Sequence, residues 1–266
     1  MYAGMLLLIV VMVLPFAWML SSSLKSQEYI LQTPPELFPN PVTLESYTGL
    51  AERIDLGRTF FNSMFVAVVG TIGQIIVAAM AAFAFARMQW RGRNTVFLLY
   101  LVTMMIPSVV LVIPQFILVR SLGWINSYMA LIVPPLFSAF GTFLLRQSFL
   151  GLPKDFEEAA FVDGANYFTI FWRIILPLSQ PALATLAVFS FMGLWNAYLW
   201  PLFVARRDVV MTLPVALATL QASPRALTEW NMVMAGAVVT VLPILLIYMF
   251  AQRWFISGII SGGIKG

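Results

Sequence analysis

Residues 59–86 read TFFNSMFVAVVGTIGQIIVAAMAAFAFA, twenty-eight positions between Arg58 and Arg87 without a charge. About 30 Å of hydrocarbon is crossed by about 20 helical residues, so this run is long enough to span a bilayer. Backbone groups in lipid have no water to bond, and a continuous apolar run satisfies them as a helix. A barrel strand would instead alternate over roughly 10 residues. Five more uncharged runs cover residues 1–24, 94–119, 121–145, 174–205 and 230–252. The expected fold is therefore an all-α membrane protein with six transmembrane helices. Their approximate limits are 3–22, 60–85, 95–118, 128–145, 179–204 and 231–251, within a single transmembrane domain covering 1–266.

Composition agrees. Hydrophobic residues make up 61% and charged residues 10%, against about 45–50% and about 25% in soluble domains. The first run is read as a span, not a secretory signal. It lacks a basic leader, exceeds the usual apolar core of about 7–15 residues, and Ser21-Ser22-Ser23 makes a poor cleavage site. Cysteine and histidine are absent. That excludes disulfides, thiolate or imidazole metal sites, and Cys/His or Ser/His catalytic pairs. A net charge of +4 is too thinly spread for a nucleic-acid footprint.

Side follows from Lys and Arg in the short loops. Arg87, Arg91 and Arg93 fall in one loop, Arg146, Lys154 and Arg173 in another, and Arg253 and Lys265 in the tail. These eight face seven on the other side: Lys25, Arg53, Arg58, Arg120, Arg206, Arg207 and Arg225. Density decides, because Glu28, Glu36, Glu45, Glu52 and Asp55 offset the bases of the long first loop. Both termini are expected in the cytoplasm.

Proton-coupled carriers often place ionisable groups at membrane depth, and the six runs hold none. Sodium could still bind carbonyls and hydroxyls alone. No lysine follows a glycine, so there is no P-loop. If the chain moves a solute uphill, another chain supplies the energy. The segment Ala78-Ala79-Met80-Ala81-Ala82 offers small residues and reads as a helix–helix interface.

The loop 146–178 carries the message. Pro153 suits a first helical turn, and Asp155, Glu157 and Glu158 favour its positive end. Gly164 suits a left-handed C-terminus. A second helical piece, 167–175, is expected to end at Pro177. Two short helices make either a compact knob for a partner or an amphipathic loop lying on lipid.

Glu158-Ala159-Ala160, then Gly164, then Ile174, Leu176 and Pro177 at fixed spacing resemble the EAA signature of ABC importer permeases. The tail Gly262-Gly263-Ile264-Lys265 and the stretch Trp195-Asn196-Ala197-Tyr198 are similar to features of the carbohydrate-uptake (maltose-type) branch. The resemblance implies a single permease domain whose coupling loop docks on an ATPase. Glu157, Glu158, Ala159, Ala160, Asp163, Gly164, Ile174, Leu176 and Pro177 would form that coupling site. Glu158 would be its anchor, Ala159 and Ala160 its close-packing face, and Gly164 its bend. Gly262, Gly263 and Lys265 would touch the ATPase from the tail. The implied partners are a homologous second permease, two ATP-binding-cassette ATPases and an extracytoplasmic solute-binding protein. ATP and magnesium would be bound by the ATPases, leaving this chain non-catalytic and without cofactor or metal. The implied place is the bacterial or archaeal plasma (inner) membrane, and the implied cargo a sugar or sugar-like solute.

Trp195, Asn196, Tyr198 and Gln115 are expected to line the solute path, since amides and ring faces suit a sugar. At helical spacing residues 195 and 198 share a face, with 196 turned about 100° away. The other reading of these aromatics is interfacial anchoring. The competing function is a self-sufficient secondary carrier or channel for a neutral solute.

Overall fold

The computed structural model describes the backbone of residues 2–30, 32–221 and 229–263, and the side chains of these except 3, 221 and 250–263. Among the described residues the chain is helical and has no strand. The order begins α1 (Tyr2–Ser23), α2 (Gln27–Ile30), α3 (Glu45–Arg53), α4 (Leu56–Arg87) and α5 (Arg93–Val102). It continues α6 (Ser108–Ser121), α7 (Tyr128–Ile132), α8 (Ala139–Leu150), α9 (Asp155–Val162) and α10 (Tyr167–Ile170). It ends α11 (Leu176–Leu178), α12 (Gln180–Trp195), α13 (Leu199–Val204), α14 (Leu213–Gln221) and α15 (Trp230–Gly263).

Three helices are each long and apolar enough to cross a bilayer, at Gly4–Ser23, Leu56–Arg87 and Trp230–Met249. Three bent pairs pass the same test together, making six if each is one span. The pairs are Arg93–Met105 with Ser108–Ser121, Tyr128–Leu136 with Ala139–Leu150, and Tyr167–Leu178 with Gln180–Trp195.

Two of these bends and one further break revise three expected helices, and proline explains each. Residues 95–118 form two helices at 102°. Pro107 has no N–H, and Ile106 before it is extended at φ −83°, ψ 118°. Residues 128–145 bend by 42° after a short 3-10 turn at Pro134–Leu136. Residues 179–204 are interrupted after Trp195. Pro201 would crowd the carbonyl of Ala197 in an unbroken helix, so Asn196 to Tyr198 leave it and α13 starts afresh. At its far end α15 outruns the expected 251 and reaches Gly263.

The described residues group into two compact units. The first holds Met1–Ser63 and Arg207–Leu246. Within it, Lys25 is buried, its ammonium donating to the Glu36 carbonyl and lying 4.9 Å over the Trp18 ring. Asn62 donates to the carbonyls of Val209 at 3.1 Å and Met211 at 2.9 Å. Ser63 accepts from the Leu213 N–H at 2.7 Å, which ties the start of α14 to α4.

The second unit holds Met64–Arg206 and Ile247–Gly266. Its core is built on the alanine face of α4. Ala78, Ala79 and Ala82 are buried with Leu145 and Phe149 of α8, Ile170 of α10 and Leu186 of α12. Small side chains let three helices approach closely. A Cβ added at Gly141 would meet Leu186 Cδ1 at 3.0 Å and the Ala78 Cβ at 3.3 Å. Gly141→Val should therefore destabilise this unit by roughly 1–3 kcal/mol through overpacking. Thermal unfolding followed by tryptophan fluorescence in detergent checks it, and an unchanged midpoint would show that the contact yields.

Polar side chains secure the breaks. Gln74 donates to the Pro135 carbonyl at 2.9 Å, and the Trp200 indole N–H to the Ala130 carbonyl at 2.8 Å. In a bilayer such carbonyls need protein donors, since no water reaches them.

Candidate functional site

The knob between α8 and α12 assembles from local signals. Asp155, Glu157 and Glu158 occupy the first turn of α9, where the helix dipole favours negative charge. At the other end the Gly164 N–H donates to the Phe161 carbonyl at 3.0 Å and the Ala165 N–H to the Ala160 carbonyl at 2.9 Å. This is the Schellman pairing, which needs a left-handed residue. Gly164 supplies it at φ +81°. Two residues later Asn166 caps α10, its side-chain oxygen accepting from the Thr169 N–H at 2.9 Å.

The second piece does not stop at Pro177. It widens into a π turn over Phe171–Ile175 and runs on through α11. Pro177 cannot donate to the Arg173 carbonyl, and its ring crowds that group. The widened turn lets the backbone pass the proline. The bend of 80° comes at Ser179, before α12.

Burial divides the signature residues into two faces. Glu158, Ala159, Asp163, Gly164 and Pro177 are exposed. Phe156, Phe161 and Val162 add exposed apolar surface, Val162 at 87%. Ala160, Ile174 and Leu176 turn inward and pack on the core beneath. Ala159 and Ala160, expected as one close-packing face, therefore look in different directions.

Glu157 is buried, 8% exposed. Its carboxylate lies 2.9 Å from Arg87 Nε at the last position of α4. The same guanidinium donates through Nη2 to the carbonyls of Phe149 and Leu152, the latter at 2.8 Å. Phe149 is in the last turn of α8, where its carbonyl also accepts from the Leu152 N–H at 3.1 Å, and Leu152 lies two residues past the helix end. Burial pushes the Glu157 carboxyl above its ordinary value; the positive charges of Arg87 and then Lys154 pull it down by less. In the sequence, Arg87 bears only on the orientation of the chain. Its position in the last turn of a span hinted at carbonyl contacts, but nothing in the sequence paired it with Glu157.

The family model of the binding-protein-dependent transport system inner membrane component matches residues 74–261, which include the whole knob. The chain belongs to this family. This transport-system component is thus a multi-pass membrane protein. It is 38% identical over 229 residues to the arabinooligosaccharides transport system permease protein AraQ of Halalkalibacterium halodurans, covering 86% of this chain and 81% of that one. It is 34% identical over 238 residues to the sn-glycerol-3-phosphate transport system permease protein UgpE of Yersinia enterocolitica, covering 87% and 85%. In fold it is similar to a chain of a bacterial ABC transporter involved in import of the acidic polysaccharide alginate. That match has a TM-score of 0.83 at 24% identity, over 96% of this chain and 95% of the other.

The residues expected on a solute path are dispersed in this component. Trp195 is buried at 1% exposure and stacks on Phe191, ring centres 5.9 Å apart and planes 11° from parallel. Asn196 is exposed and donates to the Met192 carbonyl at 2.9 Å, closing the end of α12. Tyr198 is exposed beyond the break, and Gln115 on α6 is half-buried. Trp195 and Tyr198 therefore do not share a helical face. In the tail, α15 continues through Gly262 and Gly263 as backbone, while Lys265 lies outside the described residues.

Proposed function

We propose that this chain is one membrane subunit of an ATP-driven importer for a sugar or sugar-like solute. A second, homologous permease completes the path, two ATPase subunits bind beneath, and an extracytoplasmic binding protein delivers the solute. ATP and magnesium are handled by the ATPases, and this chain performs no chemistry. Both termini and the knob face the cytoplasm, as the density of Arg and Lys in the short loops supports. Family membership and the solutes named for AraQ and UgpE support the cargo class.

One observation carries the coupling role. The outward face of α9 combines an exposed carboxylate, Glu158, with exposed Phe156, Phe161 and Val162. An apolar patch with a charged rim is how a protein partner is met, while its inward face is fixed to the spans. Glu158, Ala159, Asp163 and Gly164 then touch the ATPase, with Gly262, Gly263 and Lys265 as the contact from the tail. Glu157, Ala160, Ile174, Leu176 and Pro177 support the docking helix from within the loop. Asn196, Tyr198 and Gln115 are assigned to the solute path, with Trp195 bracing it from inside.

The ligand must bind the inward- and outward-open states differently for ATP to drive it uphill. Co-purification with the ATPase subunits and ATP-dependent uptake in vesicles test the reading. Glu158→Lys reverses an exposed charge and should abolish association without changing the melting midpoint. Uptake by the unmodified chain alone, without ATP, would establish a self-sufficient carrier instead.

A further inference from the structure

We propose that Arg87 is a positioning residue that fastens the docking helix to two spans at once, so that one push moves both. This rests on the function proposed above. A single guanidinium, its side chain 3% exposed, links three elements by two hydrogen bonds and one ion pair. It ends α4, holds the carbonyls of Phe149 in the last turn of α8 and of Leu152 just beyond, and pairs with Glu157 on α9. A planar fork of five donors can hold several acceptors in fixed directions, which a lysine cannot. Arg146 adds a second strap between the same helices, donating from Nε to the Phe85 carbonyl at 3.2 Å. Below them the alanine face of α4 packs on α8 and α12.

Consider α9 without this clamp. Its remaining ties are the chain on either side, the inward contact of Ala160 and the ring contact of Phe161 with Tyr167. Apolar contacts hold position but slide along a surface more readily than a buried ion pair anchored by hydrogen bonds on its arginine side. With the clamp, displacement of α9 is passed to the end of α4 and the end of α8 as one rigid piece. Glu157 is then no part of the surface an ATPase meets. It is the inner handle of the docking helix, one residue from Glu158 and about 100° around the helix from it.

The test uses the complete reconstituted transporter with binding protein and measures ATP hydrolysed per solute imported. Arg87→Met should keep the ATPase subunits bound, because Glu158 and the exposed apolar face are untouched. It should raise the ATP used per solute by about tenfold, within the range of coupling losses along such a network. Glu157→Gln keeps the shape and leaves Arg87 its two carbonyls, so a smaller rise is expected. An unchanged ratio in both variants overturns the proposal. Loss of the ATPase subunits from the Glu157→Gln complex also overturns it, by making Glu157 a docking contact. If Arg87→Met does not assemble, Glu157→Gln alone decides by the same ratio. Absence of ATP-linked uptake by the unmodified transporter is a different result and refutes the underlying function, not the clamp.

Discussion

Arg87→Ala is expected to destabilise the protein by about 3–5 kcal/mol, because truncating one member of a buried pair strands the other charge. Glu157, 8% exposed in the intact protein, would lose its ion-pair partner, and the Leu152 and Phe149 carbonyls would lose the Arg87 donor, Phe149 keeping only backbone N–H groups such as that of Leu152. The paired change Arg87→Met with Glu157→Leu removes both charges together. It should recover most of that loss, since well-packed apolar replacements of buried pairs are often neutral. Melting of the purified protein in detergent distinguishes the two. Equal destabilisation by the single and paired changes would mean that the charges are not coupled in the folded state.

The pH dependence has a defined sign. Burial lifts the Glu157 carboxyl above its ordinary value of 4.5, so the folded protein holds that proton more tightly than the unfolded chain. This group therefore favours folding most at low pH. Its contribution declines as pH rises from about 4.5 through the raised value. Glu157→Gln should flatten that decline.

Gly164→Val should reduce ATP-linked uptake by more than tenfold, through the backbone alone. A Cβ at this position meets nothing within 4 Å, so no clash contributes. The penalty lies in φ +81°, which costs an L-residue roughly 1–2 kcal/mol and a β-branched one more. Relief of that strain would open the Schellman pairing and swing α9 away from the Asn166 cap of α10. Asparagine visits this conformation most readily after glycine. Uptake should therefore fall in the order Gly, Asn, Ala, Val. Equal uptake by the Asn and Val variants would mean that the turn does not set the direction of the docking helix.

Spans and knob were legible because their causes are local. Charge-free length marks a membrane run, and the sequence from Pro153 through Gly164 to Asn166 contains its own start, stop and restart. The π turn before Pro177 was not legible. A proline announces that the backbone must change there but not whether it stops, bends or widens, which depends on what packs against Phe171 and Ile175. The break at Asn196 was missed for a related reason: the charge-free stretch runs on past it, and charge was the signal being read. Residue type suggests Trp195 for a solute path, and only three-dimensional packing shows its ring stacked on Phe191. The pairing of Arg87 with Glu157 joins positions seventy apart. No local pattern encodes such a meeting.

The bareness of α1 has an evolutionary corollary. Nearly every large side chain from Tyr2 to Leu14 is more than half exposed, so this helix is specified by oiliness and length, with little jigsaw fit inside the chain. Drift among Leu, Ile, Val and Met should pass almost unnoticed there. Ala78, Ala79 and Ala82 of α4, buried in the core with α8, α10 and α12, leave selection no such latitude. Two helices of similar greasiness would thus age at very different rates across descendants of this gene.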